Sequence, residues 1–177
     1  RVTADIKLCY CGIYAIQSRL FGKGKEAVMD CTEKMAALRA KLPVEEMISQ
    51  AFSAMAKAYA PYSGFKVGAA LLTADGIIYQ GCNIENAAYT PSNCAERTAF
   101  FKAVSEGVRE FTAICIVGGK EGVPEGLTAP CGVCRQVMME FCDPETFQII
   151  LPSSREEYEI FTLKELLPIG FGPKNLL

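Results

Sequence analysis

Three cysteines in two short motifs constrain the fold of this chain more than any other feature of its sequence. Cys94 stands two residues before Glu96 in SNCAERTAF, and PCGVC places Cys131 and Cys134 three residues apart. Both motifs come at the start of a predicted helix, where the helix dipole and free N–H groups stabilise thiolates. Two such helix starts can converge on one cation, so we expect the fold to bring them together.

Zinc is the cation that three thiolates and one open position favour. Three protein ligands leave the fourth tetrahedral position of zinc free, which is the catalytic rather than the structural arrangement. Glu96 then has two interpretations. With Asn93 three residues earlier it matches a helix-capping pattern, but beside the open metal position it can take a proton from water and pass it on. The order Cys-x-Glu, then Pro-Cys-x-x-Cys, is the three-cysteine form of a zinc deaminase signature whose glutamate is not a ligand.

The absence of histidine excludes several other kinds of site. None of the 177 residues is a histidine, so Ser-His-Asp and Cys-His machinery cannot be built from them. The nine cysteines are odd in number and follow no convincing signal peptide. We therefore expect a reducing, cytoplasmic location, in which cysteines are metal ligands or buried apolar residues rather than disulfides.

The first 42 residues differ in charge from the rest of the chain. They hold 8 Lys and Arg against 4 Asp and Glu, whereas residues 43–177 hold 10 against 16. An acidic main body repels a phosphate backbone, and the apolar run 8–16 is too short to cross a bilayer, so we expect no nucleic-acid or membrane partner. Apolar residues spaced 3, 4, 3 and 4 from Val28 to Leu42 predict an amphipathic helix. We expect residues 1–43 to form a partly helical extension of unknown function and residues 44–177 to form the main domain.

Helices and strands alternate regularly after Pro43. Apolar periodicity, turn residues and caps predict a first helix with Glu45 and Glu46 in its first turn and an apolar stripe from Ile48 to Tyr59. They then predict strands over 65–72 and 77–82, a loop over 83–92, a helix over 94–106, a strand over 111–119, a helix over 130–142, a strand over 147–151, a further short strand, and a last helix that begins at Thr162. Thr162 and Glu165 match a capping box for that helix. This order predicts a three-layer α/β/α sandwich with a mixed five-stranded sheet.

Several longer motifs carry a resemblance to a known family. FKVGAAL, GCNIENAAYTPSNCAERTAFFKAVSEG, PCGVCRQV and LLP resemble the small homotetrameric, zinc-dependent cytidine deaminases of pyrimidine salvage, over about residues 46–175. The resemblance implies a cytidine deaminase-like fold and a hydrolase that converts cytidine or 2′-deoxycytidine to the uridine product with release of ammonia. It implies one Zn²⁺ per chain on Cys94, Cys131 and Cys134, a zinc-activated water, and Glu96 as the proton shuttle.

Charged residues beside the ligands address an electrostatic problem. Three thiolates outweigh the two charges of Zn²⁺ and make it a poor Lewis acid. Arg97 and Arg135 each follow a ligand and can withdraw charge by hydrogen bonding to sulfur. The resemblance favours Arg97 as the thiolate partner and implies that Gln136 supports the same shell.

The resemblance also implies a set of substrate-binding residues. Phe65 would lie against the base, Asn83 and Glu85 would hydrogen-bond the ribose 3′-hydroxyl, and the backbone at Ala95 would accept the amino group. Neighbouring subunits of the homotetramer would complete the site with Ala87, Tyr89 and Phe171. For Phe65 and Phe171 the alternative is ordinary core packing.

Two alternatives to this function stay open at the level of the sequence. A structural zinc module would need a fourth ligand, for which Cys82, Cys115 and Cys142 are candidates, although the last two lie in patterns typical of buried faces. A deaminase for another amine-bearing base, or for polynucleotide cytosine, is the second alternative. The acidic main body argues against a polynucleotide, and the pair Asn83 and Glu85 favours a free nucleoside.

Overall fold

The computed structural model of the chain describes residues 36, 39–124 and 126–176. The chain divides into two units, Arg1–Leu42 and Pro43–Leu177, and nearly all of the described residues belong to the second. Four of the five residues in the predicted stripe from Val28 to Leu42, and the cysteines at 9, 11 and 31, lie outside the described residues. Within the part of the chain that is described, no helix has the length and apolar character needed to cross a membrane.

The elements of the second unit follow the predicted order, with ends that differ by a few residues. They are α1 (Val44–Met55), β1 (Phe65–Thr73), β2 (Ile78–Cys82), α2 (Ala95–Ser105), β3 (Phe111–Lys120), α3 (Gly132–Phe141), β4 (Gln148–Pro152), β5 (Tyr158–Thr162), α4 (Leu163–Leu166) and a 3₁₀ turn (Pro173–Asn175). The capping box predicted for the last helix is present: the Thr162 hydroxyl accepts from the Glu165 amide, and the Glu165 carboxylate accepts from the Thr162 amide.

The five strands form one mixed sheet in the order β2-β1-β3-β4-β5. β1 pairs antiparallel with β2 and β3, β3 runs parallel to β4, and β4 pairs antiparallel with β5. The parallel pair is joined through α3, since parallel strands require a crossover connection. The prediction of a mixed five-stranded sheet is confirmed.

Two glycines show on which faces of the sheet the helices lie. A Cβ atom on Gly68 would come within 2.0 Å of the Ala51 carbonyl oxygen of α1, and one on Gly81 would come within 2.2 Å of the Ala95 carbonyl oxygen of α2. Gly81 is paired with Ala69, and successive residues of a strand point to opposite faces. Gly68 and Gly81 therefore lie on opposite faces, α1 and α2 cover opposite sides of the sheet, and the three-layer prediction is confirmed.

The face of the sheet that carries α2 also carries α3, and the main hydrophobic core lies there. Its fully buried members include Phe100 of α2, Met138 of α3 and Ile114 of β3. Cys115 and Cys142 are buried in apolar surroundings, and burial raises the pKa of both thiols. The prediction that these two cysteines lie on buried faces is confirmed.

Candidate active site

Three thiols meet where α2 and α3 begin. Cys94 and Cys131 are the N-cap residues of the two helices, both in extended backbone conformation, and Cys134 lies one turn into α3. The Sγ atoms of all three lie within 4.8 Å of one another, with 3.8 Å between Cys94 and Cys131 and 3.4 Å between Cys131 and Cys134. At a Zn–S distance of about 2.3 Å, tetrahedral ligands lie about 3.8 Å apart. The donor set therefore fits a zinc ion.

The pKa values of two of the thiols are shifted in opposite directions. Hydrogen bonding from the Cys134 thiol, together with Arg97, lowers the pKa of Cys94 to about 5. The pKa of Cys134 is raised, first because of its hydrogen bond to Cys94 and then because it is buried. Arg97 therefore favours the thiolate form of Cys94.

Arg97 lies directly against this charge. One of its terminal nitrogens is 3.7 Å from the Cys94 sulfur and 3.3 Å from the Ser92 carbonyl oxygen. Its Nε atom is buried without a hydrogen-bond partner, alone among the side-chain N and O atoms of the described residues. Buried donors without partners are uncommon in native proteins. Arg97 is thus held at the thiol cluster rather than in solvent.

The other two residues expected around the ligands have different partners. Arg135 donates from Nε to the Pro130 carbonyl and from a terminal nitrogen to the Leu166 carbonyl, both at 2.7 Å. The side-chain nitrogen Nε2 of Gln136 donates to the Phe171 carbonyl at 2.8 Å. These bonds connect α3 to the segment that contains Leu166 and Phe171. The contacts of Arg135 are therefore those of a residue that stabilises the fold.

Glu96 is buried beside the thiols. It is 4% exposed and is the one carboxylate buried among the described residues. Burial raises the pKa of Glu96 to about 7, so both of its protonation states are accessible near neutral pH. The capping alternative is not what the structure contains: the N-cap of α2 is Cys94, and the Asn93 amide donates to the Thr98 hydroxyl at 3.1 Å.

A cavity of about 300 Å³ opens onto Cys94, Cys131 and Glu96. Another part of its lining, the nucleoside wall, consists of Phe65, Asn83 and Glu85. This volume is at the lower end of the range for small-molecule sites. Thr128 and Ala129 also line the cavity; they were missed in the sequence, although their position just before PCGVC was the available signal.

The polar residues of this wall are held by hydrogen bonds to the start of β1 and to the turn that precedes it. In the Asn83 side chain, Oδ1 accepts from the Val67 backbone amide at 2.7 Å, and Nδ2 donates to the Phe65 carbonyl at 2.8 Å. The Glu85 carboxylate accepts from the Ser63 hydroxyl and from the Tyr62 and Ser63 amides. These bonds, that of the Ser63 hydroxyl first, lower the pKa of Glu85, so its carboxylate is ionised near neutral pH.

Of the remaining predicted residues, Ala95 lies between Cys94 and Glu96, and the other three do not line the cavity. Ala95 is fully buried at the start of α2. Tyr89 is 78% exposed with a positive φ of 56°, and Ala87 is exposed in the same loop. Phe171 is 58% exposed. The described chain therefore does not bring Ala87, Tyr89 or Phe171 to the walls of the cavity.

Comparison with known proteins gives consistent matches over the second unit. The family model for the cytidine and deoxycytidylate deaminase zinc-binding region matches residues 43–149. The cytidine deaminase of Sporosarcina psychrophila is 50% identical over 135 residues, which are 76% of this chain and 96% of that protein. A probable cytidine deaminase of Dictyostelium discoideum is 40% identical over 134 residues, 76% of this chain and 87% of that protein.

Solved structures agree with the sequence matches. The crystal structure of cytidine deaminase from Burkholderia pseudomallei has a TM-score of 0.67 and 47% identity, and the match covers 73% of this chain and all of that one. That of cytidine deaminase from Mycobacterium tuberculosis has a TM-score of 0.64 and 36% identity, over 75% of this chain and 99% of that one. With the three-thiol cluster and the buried glutamate beside it, these matches lead to one conclusion: the chain belongs to the family of zinc-dependent cytidine deaminases.

Proposed function

We propose that this chain catalyses the hydrolytic deamination of cytidine and 2′-deoxycytidine, consuming water and releasing ammonia. The observation that carries the proposal is the position of Glu96, a buried carboxylate with a pKa of about 7 beside three thiols, on a cavity of nucleoside size. A structural zinc module does not require such a group. Among the described residues, the cluster of possible ligands also contains no fourth member.

Cys94, Cys131 and Cys134 would hold the zinc ion. When bound, zinc acts as a Lewis acid that lowers the pKa of water far enough for it to attack as hydroxide at neutral pH. The thiolates reduce this effect by adding negative charge. Arg97, 3.7 Å from the Cys94 sulfur, withdraws part of that charge by donating a hydrogen bond to it.

Glu96 would move the protons. Its carboxylate accepts one proton from the attacking water and donates it to N3 of the pyrimidine as the new C4–O bond forms. The same side chain then takes the remaining hydroxyl proton and delivers it to the amine as the C4–N bond breaks and ammonia leaves. A carboxylate with a pKa near the working pH suits both roles, and acid–base help of this kind contributes about 10²- to 10⁴-fold in rate.

The nucleoside wall of the cavity, formed by Phe65, Asn83 and Glu85, would bind the substrate. Phe65 lies against the base, and Asn83 and Glu85 read the ribose 3′-hydroxyl. Support comes from the two-residue spacing of Asn83 and Glu85 about Ile84, which forms isolated β-bridges to Tyr59 and Asn93, and from their common position on the cavity. The backbone at Ala95 would accept the exocyclic amino group.

The working form would be a cytoplasmic homotetramer with shared active sites, serving pyrimidine salvage. Ala87, Tyr89 and Phe171 would then reach the cavity of a neighbouring subunit. Tyr89 and Phe171 are 78% and 58% exposed in the single chain, so both rings are accessible to a neighbouring subunit. Residues 44–177 would form the deaminase domain, and residues 1–43 an extension whose function we do not assign.

The direct test is the ultraviolet absorbance of cytidine after addition of purified, zinc-loaded protein. We expect the cytidine band to fall as uridine forms, one ammonia to appear per nucleoside consumed, and 2′-deoxycytidine to react as well. Absence of any change with fully loaded protein would refute the proposal. X-ray absorption at the zinc edge addresses the alternative: three sulfur ligands and one oxygen support catalysis, and four sulfurs support a structural module.

A further inference from the structure

A hydrogen-bonded turn between α1 and β1 supports the nucleoside wall of the cavity, which contains Phe65, Asn83 and Glu85. The amide of Gly64 donates to the Ala60 carbonyl at 3.1 Å and closes the turn. The backbone of Tyr59 pairs with the segment 83–85: its amide donates to Asn83 O at 3.0 Å, and its carbonyl accepts from Glu85 N at 2.8 Å. The turn and the loop that carries Glu85 are therefore joined by their backbones.

Ser63, in this turn, contacts both sides of the nucleoside-binding wall through one hydroxyl group. The hydroxyl donates to Glu85 Oε1 at 2.5 Å and accepts from the Phe65 amide at 2.9 Å. The other carboxylate oxygen, Oε2, accepts from the Tyr62 amide at 2.9 Å and the Ser63 amide at 3.2 Å. The carboxylate is thus held at both oxygens, and Oε1 depends on the serine hydroxyl.

We propose that Ser63 is a positioning residue that holds the Glu85 carboxylate in the orientation that receives the ribose 3′-hydroxyl. The proposal rests on the proposed function of Glu85. A carboxylate oxygen has two lone pairs for hydrogen bonding, so Oε1 keeps one acceptor site after the bond from Ser63. Without that bond, Glu85 is held only through Oε2. The free-energy cost of fixing the position of Oε1 is then subtracted from the binding energy of the substrate.

A merely structural role for Ser63 makes different predictions. Glu85 is not buried, so water can replace the serine hydroxyl in the free enzyme and the fold loses little. The effect of removing the hydroxyl should therefore fall on substrate binding. The size of this effect should also depend on whether the substrate has the 3′-hydroxyl whose hydrogen bond Glu85 accepts.

The test compares cytidine with 3′-deoxycytidine in the full chain and its variants. For Ser63→Ala we expect KM for cytidine to rise about tenfold, the factor that corresponds to about 1.4 kcal/mol, with kcat within about twofold. KM for 3′-deoxycytidine should stay within about twofold of the unaltered protein, and Ser63→Thr, which keeps a hydroxyl, should restore KM for cytidine.

The matched control is Ser154→Ala. The Ser154 hydroxyl also accepts hydrogen bonds within a turn, from the backbone amides of Glu156 and Glu157. Ser154 does not line the cavity. We expect its kinetic constants to be unchanged. If Ser63→Ala does not fold, Ser63→Cys, which offers a weaker donor in a similar shape, carries the same comparison.

The outcomes separate this inference from the function on which it rests. If the unaltered protein fails to distinguish cytidine from 3′-deoxycytidine, the sugar-reading role of Glu85 is wrong and the inference falls with it. If the unaltered protein does distinguish them and Ser63→Ala leaves that ratio unchanged, only the inference is overturned. An equal rise of KM for both nucleosides, or a fall in kcat alone, also overturns it.

Discussion

The two walls of the cavity are built in different ways. The metal wall consists of the starts of α2 and α3. Cys134 belongs to the main core, Cys94 packs against that core, Glu96 is buried, and Cys131 is the exposed N-cap of α3. The nucleoside wall consists of a turn and a loop at the surface. Ser63 donates to the Glu85 carboxylate, and the Asn83 side chain bonds the backbone of Val67 and Phe65. The first wall is positioned by helix packing and the second by side-chain contacts to backbone. We therefore expect changes in the metal wall to lower kcat and changes in the nucleoside wall to raise KM.

The largest effect is expected from the three metal-wall cysteines. Cys94→Ala, Cys131→Ala and Cys134→Ala should each lose zinc and activity together, because two remaining thiolates hold the ion poorly. Elemental analysis and the cytidine assay measure both quantities on the same sample. Cys142→Ala is the matched control: this buried thiol lies in the core away from the cluster, and its loss should affect stability but neither zinc content nor rate. Zinc-free protein with normal activity would contradict the metal assignment.

Glu96→Ala should come next in size. The proton shuttle disappears while the three ligands remain, so kcat should fall by at least about 10²-fold with zinc content unchanged. Glu165→Ala provides the comparison, because Glu165 is a glutamate with a capping role. That variant should keep its rate and lose about 1 kcal/mol of stability. If Glu96→Ala behaves like Glu165→Ala, Glu96 is not catalytic.

Arg97→Gln tests charge withdrawal within the metal wall. Removing the positive charge 3.7 Å from the Cys94 sulfur should lower kcat about tenfold, a size typical of residues that support metal ligands, while zinc stays bound. Arg135→Gln removes an arginine that binds the Pro130 and Leu166 carbonyls, and it should lower the melting temperature with little change in kcat. Equal rate losses in the two variants would break the distinction.

The smallest effect is expected at Phe171, outside both walls of the single chain. If a neighbouring subunit supplies its ring to the base, Phe171→Ala should raise KM for cytidine about two- to tenfold, as expected for the loss of one aromatic contact. Tyr158→Ala, a similarly exposed aromatic residue at the sheet edge, should leave KM unchanged. Light scattering on the same samples is decisive: a fully active monomer would contradict the shared site.

The metal wall was easier to predict from the sequence because its signals are local. A Cys-x-x-Cys spacing at a helix start fixes the separation of two sulfurs within one turn, and the alternation of helices and strands fixed the layer that holds them. Arg135 shows where local reasoning failed. Its neighbour in sequence is a ligand, but its partners are carbonyls at Pro130 and Leu166, and the second lies 31 residues away. Which of two arginines contacts a thiolate is decided by tertiary packing.

The nucleoside wall was only partly predictable for the same reason. Resemblance supplied Asn83 and Glu85, and the structure places both on the cavity. Nothing in the local pattern around APYSG indicates that Ser63 contacts a carboxylate 22 residues later. Asn93 was one candidate for the cap of α2, but its side-chain amide donates to the Thr98 hydroxyl instead. Short polar side chains have several partners within reach, and the sequence does not rank them.

The close seating of α2 on β2 affects how mutational scans of this protein should be interpreted. A methyl group at Gly81 would collide with the backbone of Ala95 and Ala99, and Ala95 is the residue between Cys94 and Glu96. Backbone cannot move aside as a flexible side chain can, so the helix start itself would shift. Since catalytic groups tolerate displacements of well under about 1 Å, a substitution at Gly81 would score as an inactive enzyme, although that residue binds neither metal nor nucleoside.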